Sequence, residues 1–172
     1  MTKQRMALIS LIGILVFGLL LGGQLVYKNK WVNGALAQES QEIQGIISAQ
    51  VISYDGLSEL QVKTTEIDNL QKVSTQLQKI AGKHPIRFVD QRTAELERLF
   101  QKMQFPLQEG IVRGNFTQME QVIRELANQS GVELSLTMDS EAIYLTLNKE
   151  KSQLVSVIER HGQGKFLTSE GL

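Results

Sequence analysis

Few side chains in this sequence could do chemistry, and their spacing does not gather them. The histidines are His84, in the turn between Gly82 and Pro85, and His161, beside Gly162 near the far end. A metal centre needs several ligands converging at workable spacing, and neither histidine has a carboxylate cluster beside it. Both read as solvated loop histidines. Cysteine is absent, which excludes thiol catalysis, disulfides, Cys-ligated zinc and a lipid-modified N-terminal cysteine. Glu95 and Glu97 are the notable acid pair. Residues two apart on a helix point in different directions, and Arg92 and Arg98 nearby make this a solvated, charge-balanced face.

Serines are plentiful but never stand in a Gly-x-Ser-x-Gly elbow or a Ser-x-x-Lys pattern. Gly110-Ile-Val-Arg-Gly114 lacks the lysine and hydroxyl of a phosphate loop, and Gly162-Gln-Gly164-Lys165 has no helix signal after it. Asn115-Phe-Thr117 and Asn128-Gln-Ser130 fit the glycosylation pattern, yet both sit where helices should begin or end. The residues therefore point to a chain with no catalytic site, no metal and no cofactor. An enzyme with dispersed catalytic residues stays open, because such sites are recognised by geometry and not by chain position.

The elements that would position a site begin after an unusual N-terminal stretch. From Met6 to Tyr27 there are 22 residues without a charge, and about 20 apolar residues suffice to cross a bilayer core. Tyr27 and Trp31 flank the far end, where amphipathic rings favour the membrane interface. As a signal anchor this segment stays and tethers the C-terminal remainder of the chain. As a cleavable signal it offers Ala35-Leu36-Ala37, with cleavage before Gln38 and a secreted product. The anchor is preferred, because Lys28 and Lys30 separate that site from the apolar run. Basic residues flank both ends of the span. The short N-terminal tail and the Ala35–Ala37 site favour a C-terminal domain outside the cytoplasm. Gly18 and Gly22 form a small-xxx-small pair that could pack two spans together, although glycine is common in membrane helices.

The chain of 172 residues carries no formal net charge, but residues 1–38 hold four basic residues and no acid. That leaves 14 basic against 18 acidic residues in 39–172, a net of −4. Such a part lacks the basic footprint of a nucleic-acid binder and would not lie flat on anionic lipid.

Residues 31–45 are polar and read as a linker. β-branched residues on both sides of Asp55-Gly56 predict a hairpin. Ile67, Leu70, Val73, Leu77 and Ile80 follow at helical spacing, with Thr65 as a possible cap and Gly82 and Pro85 as stops. Residues 86–90 read as a strand. Ala94, Leu96, Leu99, Phe100 and Met103 predict a second helix ending near Phe105-Pro106, with 107–114 extended. Thr117 and Glu120 have the spacing of a capping box for a third helix, whose buried face is Met119, Val122, Ile123 and Leu126 and whose end is Gly131.

Val132, Leu134, Leu136 and Met138 alternate as a half-buried strand. Ile143, Leu145 and Leu147 repeat the pattern after a turn at Asp139-Ser140. The segment around Leu154–Ile158 suits either a helix or a strand. The expected fold is α+β, with a mostly antiparallel sheet covered by about three amphipathic helices.

The stretch from Asn115 to Arg160, with its helix ending in Leu126-Ala127-Asn128-Gln129-Ser130-Gly131-Val132, resembles the βαββα short N-terminal modules of secretins and TonB-dependent receptors. It is also similar to ring-building modules of bacterial secretion, pilus and sporulation assemblies. The resemblance covers about a quarter of the chain and implies docking on neighbouring modules, with no catalytic residues to carry over.

The expected organisation is a cytoplasmic tail and single-pass anchor over 1–30, a linker over 31–45, an extracytoplasmic domain over 46–161 and a flexible tail over 162–172. Its expected role is that of a non-catalytic protein–protein interaction module in the cell envelope, with unknown protein partners, possible homo-oligomers and no nucleic acid. An exported small-ligand-binding domain is the alternative.

Overall fold

The computed structural model describes residues 33–54, 57–82, 84–160, 166–167 and 170–171. The apolar run 6–27 with Gly18 and Gly22, the Asp55-Gly56 pair, His161 and Gly162–Lys165 lie outside the described residues. Among the described residues, no helix is long and apolar enough to cross a membrane.

The fold is α+β and contains two sheets where the sequence suggests one. Within the stretch read as a linker, α1 spans Asn33–Gln41 and carries Ala35 and Ala37. Ser40 is fully buried, its hydroxyl donating to the Leu36 carbonyl at 2.7 Å, and Ile43 joins the core.

Strands β1 (Ile46–Tyr54) and β2 (Leu57–Thr64) form the expected antiparallel hairpin, with Tyr54 opposite Leu57. α2 (Leu70–Ala81) then crosses to β3 (Ile86–Asp90), which pairs parallel with β2. α2 starts at the cap Asn69, whose side chain accepts from Lys72 N, and not at Thr65. The reason is local: both backbone polar groups of Ile67 are held by Gln153, so the chain there cannot turn into helix.

α3 spans Ala94–Arg113 and runs straight through Pro106, which corrects the expected break and the extended 107–114. Proline removes one backbone hydrogen bond. The buried stripe nevertheless continues at helical spacing through Met103, Leu107 and Gly110, so stopping would expose it. Gly110 is the closest approach to the next helix: a Cβ there would lie 2.5 Å from Met119 Sδ.

α4 spans Phe116–Gln129 with Asn115 as its cap, and Thr117 falls inside the helix. The Thr117–Glu120 capping box does not form; Glu120 pairs with Arg124 one turn on, at 2.7 Å. Met119, Ile123 and Ala127 are the buried face, while Val122 is exposed.

β4 (Glu133–Met138), β5 (Ala142–Lys149) and β6 (Ser152–Glu159) make an antiparallel meander, which settles the ambiguous 154–158 as strand. Two-residue strands β7 (Phe166–Leu167) and β8 (Glu170–Gly171) pair with β6 and β3.

The second sheet is the middle layer. Ile143, Leu145, Leu147, Leu154 and Ile158 face α3 and α4. Ala142, Tyr144, Val155 and Val157 face the opposite way, into a core with Leu60, Val62, Phe88 and the buried side of α2. β5 and β6 are thus covered on both faces, not the one that alternation suggests. Each fully buried side chain of this size contributes about 1.5–3 kcal/mol by leaving water.

Candidate functional site

The chemistry-bearing residues among those described stand in separate places. His84 lies with Nδ1 3.3 Å from the Ser58 carbonyl. Glu95 pairs with Lys149 and Glu97 with Arg92, so the two acids serve different partners. Asn115 stands at the start of α4 with Nδ2 donating to Gln118 Oε1 at 3.1 Å and no side-chain bond to the helix backbone, and Ser130 ends the helix, its hydroxyl donating to the Leu126 carbonyl at 3.0 Å. Gly114 closes α3 in the left-handed region at φ 69°. Among the described residues no group of three His, Cys, Asp or Glu side chains is placed to hold a metal ion.

Two polar clusters emerge that residue spacing does not announce, and both tie the layers together. Asp90, fully buried, is gripped by Arg92 through both carboxylate oxygens at 2.7 and 2.8 Å. Its Oδ2 also accepts from the Val155 backbone N–H at 2.8 Å, joining β3 to β6. Arg92, read from sequence as part of a solvated face, is therefore a buried strut between Asp90 and Glu97. One signal could have found Asp90: alternation along Ile86, Phe88 and Asp90 puts it on the buried face of β3.

Gln153 is the second tie. Its carboxamide accepts from Ile67 N at 2.9 Å and donates to Ile67 O at 3.1 Å and Asn148 Oδ1 at 2.9 Å. Gln153 and Asn148 also line a cavity of about 260 Å³, together with Thr65, Glu66, Gln91 and Ser152.

At the β4–β5 turn, Asp139 accepts from the N–H groups of Glu141 and Ala142 and from the Tyr144 hydroxyl. Burial works to raise its carboxyl, but those donors together with Gln71 hold it below the ordinary value. Burial and the Asp139 carboxylate push the Tyr144 hydroxyl up to about 12. The turn is a hydrogen-bonded lock.

An open groove of about 760 Å³ runs between α1 and α2. Glu39, Glu42, Glu66 and Asp68 stand around it with Lys72 and Lys79, and Ile43 and Val73 contribute apolar surface.

The free edge of β1 is different in kind. Among the described residues β1 ends its sheet with β2 as its one strand neighbour, and α1 packs along it. Its nine residues, IISAQVISY, contain no charge and no proline. Natural sheets usually blunt such an edge with lysine, proline, a short strand or a bulge, because unpaired backbone groups invite another strand. Here a register irregularity lies between Ile46 and Ser48, and pairing with β2 is regular from Ser48 to Tyr54.

The direction of the free groups follows from the ladder. Leu60, opposite Val51, sends its N–H to Pro85 O at 2.8 Å, on the β3 side. In an antiparallel ladder both members of such a pair turn away from each other. Val51 therefore points its N–H and C=O out of the sheet, and Ala49 and Ser53 do so by alternation. The side chains of Gln50 and Ser53 are exposed beside them, and Ile47 is 49% exposed.

No family model matches the chain, and neither curated proteins nor solved structures give a match.

Proposed function

We propose that this chain is a membrane-anchored, non-catalytic protein–protein interaction module of a cell-envelope assembly, which docks its partner by strand addition along β1. The observation that carries this reading is that β1, nine residues without a charge, ends its sheet with the backbone groups of Ala49, Val51 and Ser53 directed away from β2. In strand addition the backbone hydrogen bonds supply affinity and the flanking side chains supply selectivity. The uncharged run Met6–Tyr27 would tether the domain, with the C-terminal part outside the cytoplasm. The resemblance of residues 115–160 to envelope modules that dock on neighbours fits the same role.

The test is photo-crosslinking in intact cells, with the probe at Ser53 on the free edge and, as control, at Gln104 on α3. The expected result is a discrete protein adduct from Ser53 in the membrane fraction and none from Gln104. Absence of any adduct from β1 positions would remove the reading. The α1–α2 groove supports the alternative of a small-ligand-binding domain, since it combines apolar surface with a few polar groups. Ligand-induced protection of Val73 and Ile80 from hydrogen exchange would favour that alternative.

A further inference from the structure

We infer that the cavity at the β5–β6 turn binds a small amino acid of the lysine type, one that carries two ammonium groups and one carboxylate. This goes beyond strand addition and does not rest on it. Three segments meet at the cavity: the chain just after β2, the residue after β3, and the β5–β6 turn. Its volume is about 260 Å³, and every residue that lines it has a polar side chain. Pockets for drug-sized ligands run from about 300 Å³ upward and are mostly apolar, so this one calls for a small and polar occupant.

The floor is fixed from within the fold. Gln153 is 5% exposed and holds both backbone polar groups of Ile67. It also donates to Asn148 Oδ1 at 2.9 Å, which orients that carboxamide and leaves Asn148 Nδ2 as the unused donor. Glu66, Glu150 and Lys151 line the same cavity and are exposed, and none of the three has an ion-pair partner among the described residues. Lys149, one residue before Glu150, is by contrast taken up by Glu95.

The backbone of Glu150 is an independent observation. Lys149 and Ser152 pair across the hairpin, so its loop is Glu150-Lys151. Among the described residues Glu150 is the one non-glycine in the left-handed region, at φ 55°. Hairpin turns fill such a position with Gly, Asn or Asp, because a larger side chain is strained there. Strain of this kind gathers at sites where the side chain is used. The Glu150 side chain stands at the cavity and serves no partner within the fold.

Charge selects the occupant. Two carboxylates and one ammonium surround the space, so a phosphate or other anion would be repelled on balance. A divalent metal would need more anionic ligands, and no group of three acids or histidines is placed to hold one among the described residues. A neutral amino acid would leave one glutamate unanswered. A diamino acid matches the site charge for charge: its ammonium groups go to Glu66 and Glu150, which stand on different loops. Its carboxylate accepts from Lys151 Nζ and Asn148 Nδ2.

The test is calorimetry on the full-length protein in detergent, with free L-lysine as the probe. Three analogues each delete one charge: Nα-acetyl-L-lysine the α-ammonium, L-norleucine the side-chain ammonium, and cadaverine the carboxylate. L-lysine should bind, and each analogue should bind at least about tenfold more weakly, because each leaves one charged group of the site without its partner. No binding of L-lysine at millimolar concentration overturns the inference, and so does equal binding by any one of the analogues.

Two variants separate binding from folding. Glu150→Gly relieves the left-handed backbone, so its thermal midpoint should hold or rise while L-lysine affinity falls at least about tenfold. Glu150→Gln keeps the side-chain length, removes the charge and should show the same loss. Wild-type affinity in either variant overturns the assignment of Glu150 and the inference with it.

Discussion

The two sheets of this protein are built from similar strands and covered to different degrees. β5 and β6 are buried along nearly their whole length, with one face against α3 and α4 and the other against the first sheet and α2. Among the described residues of β1 and β2, Ala49, Leu60, Val62 and Thr64 are buried, Ser48 and Gln50 are exposed, and Ile52, Glu59, Gln61 and Lys63 are half-buried. β6 is also covered along its second edge, where Gln153 N donates to Gln91 O, Val155 N donates to Asp90, and β7 pairs farther on. Among the described residues β1 has no second strand partner, and α1 packs along it. The comparison teaches that burial concentrates in the middle layer, where strands have no surface left, while the first sheet keeps its exposed surface at the margin.

The most forceful way to break this division is at its joint. Asp90→Ala leaves the buried Arg92 guanidinium without its carboxylate and the Val155 N–H without its acceptor. Breaking a buried pair from one side costs roughly 3–5 kcal/mol. A urea titration should show a midpoint shift of that size, and an unchanged midpoint would mean that the joint does not hold the sheets together.

A matched pair of alanines sharpens the contrast. Leu145→Ala in the middle layer should cost about 2–5 kcal/mol, because the cavity is closed in by packed neighbours. Gln50→Ala on the outer face of β1 should stay within about 0.5 kcal/mol. Equal losses at the two sites would erase the distinction.

The smallest effect is a pH dependence at the edge of the second sheet. Asp139 has a lowered folded pKa, so its contribution is present above the ordinary carboxylate value and is lost as pH falls through the lowered one. Tyr144 has a raised pKa, so its contribution is complete below pH 10 and is lost as pH climbs from there to about 12. Thermal melts across both limbs should show Asp139→Asn flattening the acid limb and Tyr144→Phe flattening the alkaline one. A wild-type profile retained in both variants would remove the turn lock.

Particular residues show where sequence reading succeeds and fails. The hairpin about Asp55-Gly56 and strand Ile86–Asp90 are local features and were legible. Pro106 misled because a local rule, the missing N–H, was outweighed by the stripe Met103, Leu107, Gly110, whose value depends on α4 and the second sheet being present. The Thr117–Glu120 spacing misled because Asn115 took the cap position and Arg124 took the glutamate. Asp90 and Gln153 were invisible as ties because their partners lie far along the chain, at Val155 and Ile67. Of the candidate site, the uncharged composition of β1 was in plain view, but its being an edge was not.

By itself the sequence determined what depends on neighbours a few residues away: the periodicity of each amphipathic element, the stops at Gly82 and Gly131, and the uncharged stretch Met6–Tyr27. The tertiary structure alone decided that there are two sheets, that one is covered on both faces, and that β1 ends its sheet. Periodicity and capping come from local backbone and side-chain geometry. Burial, pairing and exposure are set by which distant segments pack together, and that is a property of the whole chain.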